Sequence, residues 1–469
     1  MKNLKNLIFY LLMIILIIYG FFLRFYSLSQ QSLWIDEGFS INAAIQTLKY
    51  AIPRLESGFV YGGGIINTYF MAFFIKIFND SIFASRFVSL IFGILSIIIT
   101  YLLGKEVYSK KIGIIAALFV TFSSIEIAWS RQARMYSQLQ FFFLLSLFLF
   151  YKFSNNKKLK YFILTSVLTL VTIFTHSLGF SLILIYLVYF ILNYKDFKFI
   201  FTNKFLIPLF ILSIPFIYLL IVSFTDYNYI YVNYFLKYIY FLRFSHEILF
   251  YFSLIGMIIS IREFKKSSFL FISFFIPLLI LSFFIFLMHY RYLFFILPIL
   301  FIFAAYLIVF ISNYFKKFKY IATGILTLIV LLSGFTFIPK DNYELESLTP
   351  QPDFKKTYSY IENNYKDEII IDAYPVLSKI YFKEADYGLM FSLSGRQEEI
   401  LNMTHDIYTG KPFVSLEELE NIDNCFLIID KLAIDRINPK IRSFIDNMTF
   451  IEEGSDLKNN ISSVKLYRC

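Results

Sequence analysis

The sequence predicts a polytopic α-helical membrane protein of about 11 spans, ending in an α/β domain outside the cytosol. Three observations predict it. Hydrophobic residues make up 58% of the 469-residue chain and aromatics 21%, with a mean hydropathy of +0.66; soluble domains sit near about 45–50% apolar. Basic connections between apolar runs alternate with connections that are not basic. Beyond about residue 339 the long apolar runs end, and short ones appear among polar residues.

The chain starts with the basic stretch Met1-Lys2-Asn3-Leu4-Lys5, and an apolar run over 7–25 follows. It is long enough to span a bilayer. A signal peptide is the weaker reading, because no small-residue cleavage site follows. Further apolar runs cover 86–104, 112–127, 135–151, 161–176, 178–192, 205–224, 247–261, 269–289, 292–311 and 320–337. Lysines and arginines fall in every second connection: Lys105, Lys110 and Lys111; Lys152, Lys157, Lys158 and Lys160; Lys195, Lys198 and Lys204; Arg262, Lys265 and Lys266; Lys316, Lys317 and Lys319. The positive-inside rule makes these connections and the N-terminus cytoplasmic. The net charge of +10 then reports topology, and no nucleic-acid partner is expected. By the same parity 27–85 is one extracytoplasmic loop, in an integral protein of the plasma membrane. Its apolar piece, 67–78, is too short to cross and reads as an interfacial helix among membrane lipids.

Residues 1–338 therefore form a transmembrane domain, and 339–469 a soluble extracytoplasmic one. In the tail, short apolar runs at 368–372, 426–430 and 464–467 alternate with helix-like stretches at 353–365, 415–421 and 439–447. That alternation predicts α/β architecture. The only cysteines are Cys425 and Cys469, which could pair with each other outside the cytosol.

Candidate chemistry gathers at the predicted outer face. Gln31-Ser32-Leu33-Trp34-Ile35-Asp36-Glu37-Gly38 places two adjacent carboxylates just after the first apolar run. An ionised carboxylate inside a bilayer costs roughly 2.5 kcal/mol or more. Asp36 and Glu37 either open an interfacial helix or supply a base or a metal ligand. Trp129-Ser130-Arg131-Gln132-Ala133-Arg134-Met135-Tyr136 falls in the next outer connection. Arg131 and Arg134, three apart, share a helix face and suit a phosphate, or snorkel to headgroups. Arg291 follows in His289-Tyr290-Arg291-Tyr292, and His176 lies at the outer end of its run. Arg24 and Arg86 sit where they could pair with the carboxylates. No Walker loop, dinucleotide fingerprint or zinc-ligand spacing is present. No cofactor is implied with certainty, and a divalent metal is left open.

These motifs, in this order, resemble the GT-C membrane glycosyltransferases of the protein O-mannosyltransferase and lipid A aminoarabinose transferase type, the glycosyltransferase family 39-like superfamily. Leu33-Trp34-Ile35-Asp36-Glu37 resembles the family's first-loop acidic motif. Ser85-Arg86-Phe87-Val88-Ser89-Leu90-Ile91-Phe92-Gly93 resembles an Arg-x-x-Ser-x-x-x-Gly span start, and Ser130–Tyr136 the second-loop motif. Thr175-His176 and Arg291-Tyr292 through Pro298 resemble later marks, so the likeness covers about the first 300 residues. The resemblance implies an inverting hexosyl or pentosyl transfer from a polyprenyl-phosphate-linked donor to a protein, lipid or glycan acceptor at the extracytoplasmic face. It makes Asp36 and Glu37 the catalytic carboxylates, and gives Arg134, Arg291, Arg131 and Arg86 to the donor phosphate. Tyr136, His176, Tyr292 and Trp34 would contact donor or acceptor. Two departures stand out: Gln132 where many members have glutamate, and Gly62-Gly63-Gly64 where many have His-Pro-Pro. The competing function is a transporter or flippase of lipid-linked glycans. It would need ionisable residues along the spans, and here they cluster at one face.

Overall fold

The computed structural model describes residues 2–198, 233–285, 288–343, 352–364, 368–391, 404–422, 424–455 and 463–468. The chain divides into two compact units. One comprises Met1–Phe22, Phe92–Ile127 and Tyr136–Ile338, and the other Leu23–Ile91, Ala128–Met135 and Pro339–Cys469.

The first unit is helical. The N-terminal helix α1 runs from Lys2 to Phe25. After α2 (Ile35–Tyr50) and α3 (Ile65–Phe78) comes the 27-residue α4 (Ser81–Val107), followed by α5 (Lys110–Phe122) and α6 (Ser124–Trp129). Helices α7 (Tyr136–Asn156), α8 (Leu159–Thr175) and α9 (Ser181–Leu192) fill the next three apolar runs. Later helices are Glu247–Ser260, Phe264–Phe283, Leu297–Tyr314 and Lys319–Val330. Among the described residues four helical stretches are long and apolar enough to cross a bilayer: Leu7–Phe25, Ser81–Val107, Glu247–Phe283 and Tyr290–Tyr314. The protein is an integral membrane protein. The expected span over 205–224 lies outside the described residues.

Two apolar runs are interrupted where the sequence predicts continuity. The run at 112–127 breaks at Ser123, whose hydroxyl lies 2.9 Å from His246 Nε2 and accepts the Glu126 N–H at 3.3 Å. The run at 320–337 stops being helical at Val330. Gly334 then takes φ +82 against the Ser245 carbonyl, 2.2 Å from where a Cβ would sit. The breaks meet in backbone bonds, the Ser124 N–H donating to the Gly334 carbonyl at 3.1 Å and the Thr336 N–H to the Phe122 carbonyl at 2.8 Å. Small residues also set how closely helices approach, as lipid-embedded packing favours. A Cβ on Gly256 would lie 2.1 Å from the Phe303 carbonyl oxygen, so Glu247–Ser260 rests directly on the backbone of Leu297–Tyr314.

The second unit holds α2, α3, the start of α4, the 128–135 turn and a five-stranded sheet. The strands are β1 (Ile369–Asp372), β2 (Tyr387–Gly388), β3 (Cys425–Asp430), β4 (Thr449–Ser455) and β5 (Ser463–Arg468), ordered β2-β1-β3-β5-β4. β1 runs parallel to β2 and β3, while β5 is antiparallel to β3 and β4. Central β3 is buried at every position, as its apolar run Cys425–Ile429 requires, and Asp430 at its end is buried with it. The sequence reading missed β2, which is two residues long, and β4, which includes Glu452, Glu453 and Gly454. Cys425 is disulfide-bonded, and Cys469 lies outside the described residues.

The described residues beyond 339 fold together with the first loop. The Leu33 N–H donates to the Tyr381 hydroxyl at 2.6 Å. Lys379 pairs with Glu56, and Tyr408 packs on Phe39 with ring centroids 4.2 Å apart. Gly38 of α2 lies so close to Leu377 that a Cβ would come within 2.6 Å of it. At the carboxyl end of β1, Asp372 is fully buried and accepts the Tyr358 hydroxyl at 2.5 Å and the Tyr374 N–H at 2.8 Å. Burial pushes its carboxyl up to about 6.

Two outcomes follow from this packing. Gly256→Leu should cost about 1–3 kcal/mol or more by overpacking; a lower midpoint in thermal unfolding of the detergent-solubilised chain checks it. Asp372, with a folded pKa above its unfolded value of 3.8, binds its proton more tightly when folded. Its contribution therefore falls as pH rises from about 4 to about 6. Asp372→Asn should flatten that part of the stability–pH curve, and an unchanged slope would contradict the assignment.

Candidate active site

Helix α2 begins directly after Trp34, so Asp36 and Glu37 both lie in its first turn, where the helix dipole favours negative charge. Successive helical residues diverge by about 100°. The two side chains accordingly meet different surroundings.

Glu37 is completely buried. Its carboxylate accepts Arg86 Nε and Nη2, each at 2.9 Å, the Ala133 N–H at 2.7 Å and the Trp34 N–H at 3.1 Å. With the Gln132 amide turned to donate, its nitrogen lies 2.6 Å from Oε2. A buried ion pair survives only when its remaining lone pairs and protons are satisfied in this way. Arg86 is equally committed: its Nη atoms donate to the carbonyls of Leu28, Gln31 and Ser32 at 2.8–3.1 Å.

Asp36 faces the rim. Its side chain is 29% exposed, against 9% for Arg134 and 0% for Glu37. Arg134 Nη2 lies 3.4 Å from Asp36 Oδ2. Nη1 of the same guanidinium donates to the Asp36 carbonyl at 2.9 Å, the Ser40 hydroxyl at 2.8 Å and the Tyr61 hydroxyl at 3.0 Å. Its plane also lies 6.0 Å from the Trp34 ring, which in turn meets Trp129 edge-on at 6.2 Å. The Ser89 hydroxyl donates to the Arg134 carbonyl at 3.0 Å and steadies the turn.

Arg131 and Arg86, expected at a donor phosphate, are instead buried among protein carbonyls. Arg131 donates to the carbonyls of Arg24, Tyr26, Ser27 and Asp341, with Tyr343 5.0 Å from its guanidinium. Burial pushes Arg131 down to about 10. Arg134 is engaged with Asp36, and so differs from a free phosphate ligand.

Three expected residues come together in the helical unit. Tyr136, His176 and Tyr292 form an aromatic group with centroids 5.8–6.5 Å apart, and His289 lies 5.3 Å from Tyr292. His176 Nδ1 accepts the Leu178 N–H at 3.1 Å, which leaves the proton of a neutral ring on Nε2. Arg291 stands in the same 3-10 turn as Tyr292.

Ser40 and Tyr61 were not singled out in the sequence. Ser40 sits one turn after Asp36, a spacing that could have suggested it; Tyr61 lies 25 residues on, before a glycine run, with no local signal. Glu126 was also missed: it is buried and accepts the Gln140 amide at 2.9 Å. Among the described residues no group of three or more His, Cys, Asp or Glu side chains converges as metal ligands would.

Removing one partner of the buried pair leaves the other charge uncompensated, at about 3–5 kcal/mol. Arg86→Ala should thus lower the unfolding midpoint and the folded yield, while Asp36→Asn leaves both near wild type. Equal stability of the two variants would contradict the division between them.

Residues 64–222 match the sequence family described as dolichyl-phosphate-mannose-protein mannosyltransferase. No curated protein matches the chain in sequence. ArnT from Cupriavidus metallidurans in the apo state is similar in structure, with a TM-score of 0.62 at 9% identity, covering 99% of this chain and 98% of that one. The same protein bound to undecaprenyl phosphate gives a TM-score of 0.59 at 9% identity over the same shares. The oligosaccharyltransferase AglB from Archaeoglobus fulgidus, in complex with an inhibitory peptide and a dolichol-phosphate, gives 0.57 at 13% identity over 90% of this chain and 69% of that one. The chain has the GT-C fold and resembles the superfamily of protein O-mannosyltransferases and ArnT.

Proposed function

We propose that the protein is an inverting glycosyltransferase that moves a hexosyl or pentosyl group from a polyprenyl-phosphate donor to a protein, lipid or glycan acceptor. The observation that carries this reading is the contrast between two adjacent carboxylates. Glu37 is sealed in by five donors, while Asp36 is held from one side by Arg134 and is partly exposed. A fixed, accessible carboxylate suits a general base. The likeness to ArnT bound to undecaprenyl phosphate and to AglB with a dolichol-phosphate supports a lipid-phosphate donor.

In the proposed step Asp36 takes the proton of the acceptor hydroxyl or amine. The acceptor atom bonds to the anomeric carbon from the face opposite the phosphate. The carbon–oxygen bond to phosphate breaks, and its electron pair leaves with the polyprenyl phosphate. Glu37 and Arg86 position the helix that carries Asp36. Arg291 is assigned to the donor phosphate, where a guanidinium offers paired donors. The aromatic group Tyr136, His176 and Tyr292 is assigned to donor contact. The alternation of basic connections supports a plasma-membrane orientation with a cytoplasmic N-terminus. It puts both the Asp36 loop and the α/β tail outside.

The test is transfer from labelled undecaprenyl-phosphate sugars to the native envelope fraction, with variants at matched expression. Asp36→Asn should lower the maximal rate by roughly 10²–10⁴-fold, the range of general-base catalysis. Arg291→Gln should chiefly raise the KM for donor. Full activity in Asp36→Asn sinks the mechanism. No transfer by wild type with any lipid-linked donor favours the transport reading.

A further inference from the structure

The contacts of Arg134 identify a residue outside the expected set. Its Nη1 group meets three acceptors, and two of them are hydroxyls that also bond each other: Ser40 Oγ and Tyr61 Oη are 2.9 Å apart. The protons can be assigned. Ser40 Oγ donates to the Asp36 carbonyl at 3.0 Å. Arg134 donates to both hydroxyl oxygens, and with the Ser40 proton on the Asp36 carbonyl it is the Tyr61 O–H that is left to donate to Ser40 Oγ. The result is a closed ring of Arg134, Tyr61 and Ser40, anchored at both ends on Asp36: on its carbonyl through Ser40, and on its carboxylate through Arg134 Nη2 at 3.4 Å.

The Tyr61 ring is itself fixed. It is buried with Ala43 and Leu55, and Phe39 and Tyr408 pack against that cluster. It also lies directly over Gly63. A Cβ on Gly63 would come within 2.8 Å of both Cζ and the hydroxyl oxygen of Tyr61. Gly63 has no left-handed backbone, so what this position requires is the space. Any side chain there displaces the hydroxyl from Arg134 and Ser40.

We propose that Tyr61 is a positioning residue for the transfer reaction: its hydroxyl holds the Arg134 guanidinium, and that guanidinium aims the Asp36 carboxylate, with Gly63 supplying the room. The inference rests on Asp36 as the general base. It gives Gly63, within the run Gly62-Gly63-Gly64, a task in this chain. Tyr61 acts through Arg134 and touches neither substrate in this assignment. Its loss therefore changes the turnover step and leaves donor binding alone.

The experiment uses the full chain in membranes at matched expression, with a labelled undecaprenyl-phosphate hexose as probe and the native envelope fraction as acceptor. Wild type, Tyr61→Phe, Gly63→Ala, the double variant and Asp36→Asn are compared. Tyr61→Phe keeps the ring and its packing, so its unfolding midpoint serves as the folding control. A lost hydrogen bond to a charged group corresponds to roughly a tenfold or larger effect. The expected result is a roughly tenfold lower maximal rate in Tyr61→Phe with donor KM unchanged. Gly63→Ala should show the same loss, and the double variant should be no worse than the poorer single one, because both act on one hydroxyl. Three results overturn the proposal while Asp36→Asn is inactive: a wild-type rate in Tyr61→Phe, a raised KM at unchanged maximal rate, or multiplied losses in the double variant. An active Asp36→Asn overturns instead the reading on which it rests. Should Gly63→Ala fail to accumulate, Tyr61→Phe decides alone.

Discussion

The buried carboxylate of Glu37 is the constraint on which the Asp36 region depends. Removing an ion of this kind from water costs several kcal/mol even after relaxation, and one partner alone does not offset that. The protein therefore surrounds it with donors from separate segments: Arg86 from α4, the Ala133 N–H and Gln132 amide from the 128–135 turn, and the Trp34 N–H at the start of α2. Each donor fixes the segment it comes from. Arg86 then reaches onward to three carbonyls between Leu28 and Ser32. One anion thus sets where the first loop leaves its helix, where α2 starts and how the second turn runs beneath it.

The arginines divide the work by what they can bond. A guanidinium presents five donors in a plane, which suits several carbonyls at once better than an ammonium would. Arg131 uses that geometry to gather the chain from Arg24 to Ser27 against Asp341. Arg134 faces hydroxyls and a carboxylate instead. Three residues apart in sequence, the two sit in a turn with no regular helix, because the Arg134 N–H bonds back to the Gln132 carbonyl at 2.7 Å. The shared face that helical spacing suggests is absent for that reason.

The sequence made some of this legible. Among the described residues hydropathy located most of the long helices, because apolar runs of that length have few other ways to satisfy their backbone, though several of their ends lie five or more residues from the expected bounds. Positions 36 and 37 stood out because charge beside a span is rare. The breaks at Ser123 and Val330 were hidden, since what favours them is His246 and Ser245, far along the chain. The same holds for Arg86 and Arg131: their partners are backbone carbonyls, which every residue carries and no pattern marks. Tyr61 was indistinguishable from the 35 other tyrosines of an aromatic membrane protein. Its partners become visible only when α2 and the 128–135 turn meet.

Gln132 shows how a departure in sequence can follow from local electrostatics. A carboxylate at this position would stand against Glu37, whose oxygen is 2.6 Å from the Gln132 amide nitrogen. Two anions at that distance cannot both stay ionised when both are buried. The amide donates a proton where an acid would repel, so the neutral residue completes the shell around Glu37. In this network Glu37 is thereby sealed, and Asp36 is the carboxylate that reaches the rim. Asp36 is exposed enough to meet another molecule, and it is held on its inner side by a guanidinium that hydroxyls keep in place. In the proposed mechanism this side chain needs access and a fixed direction, which its partial exposure and Arg134 supply.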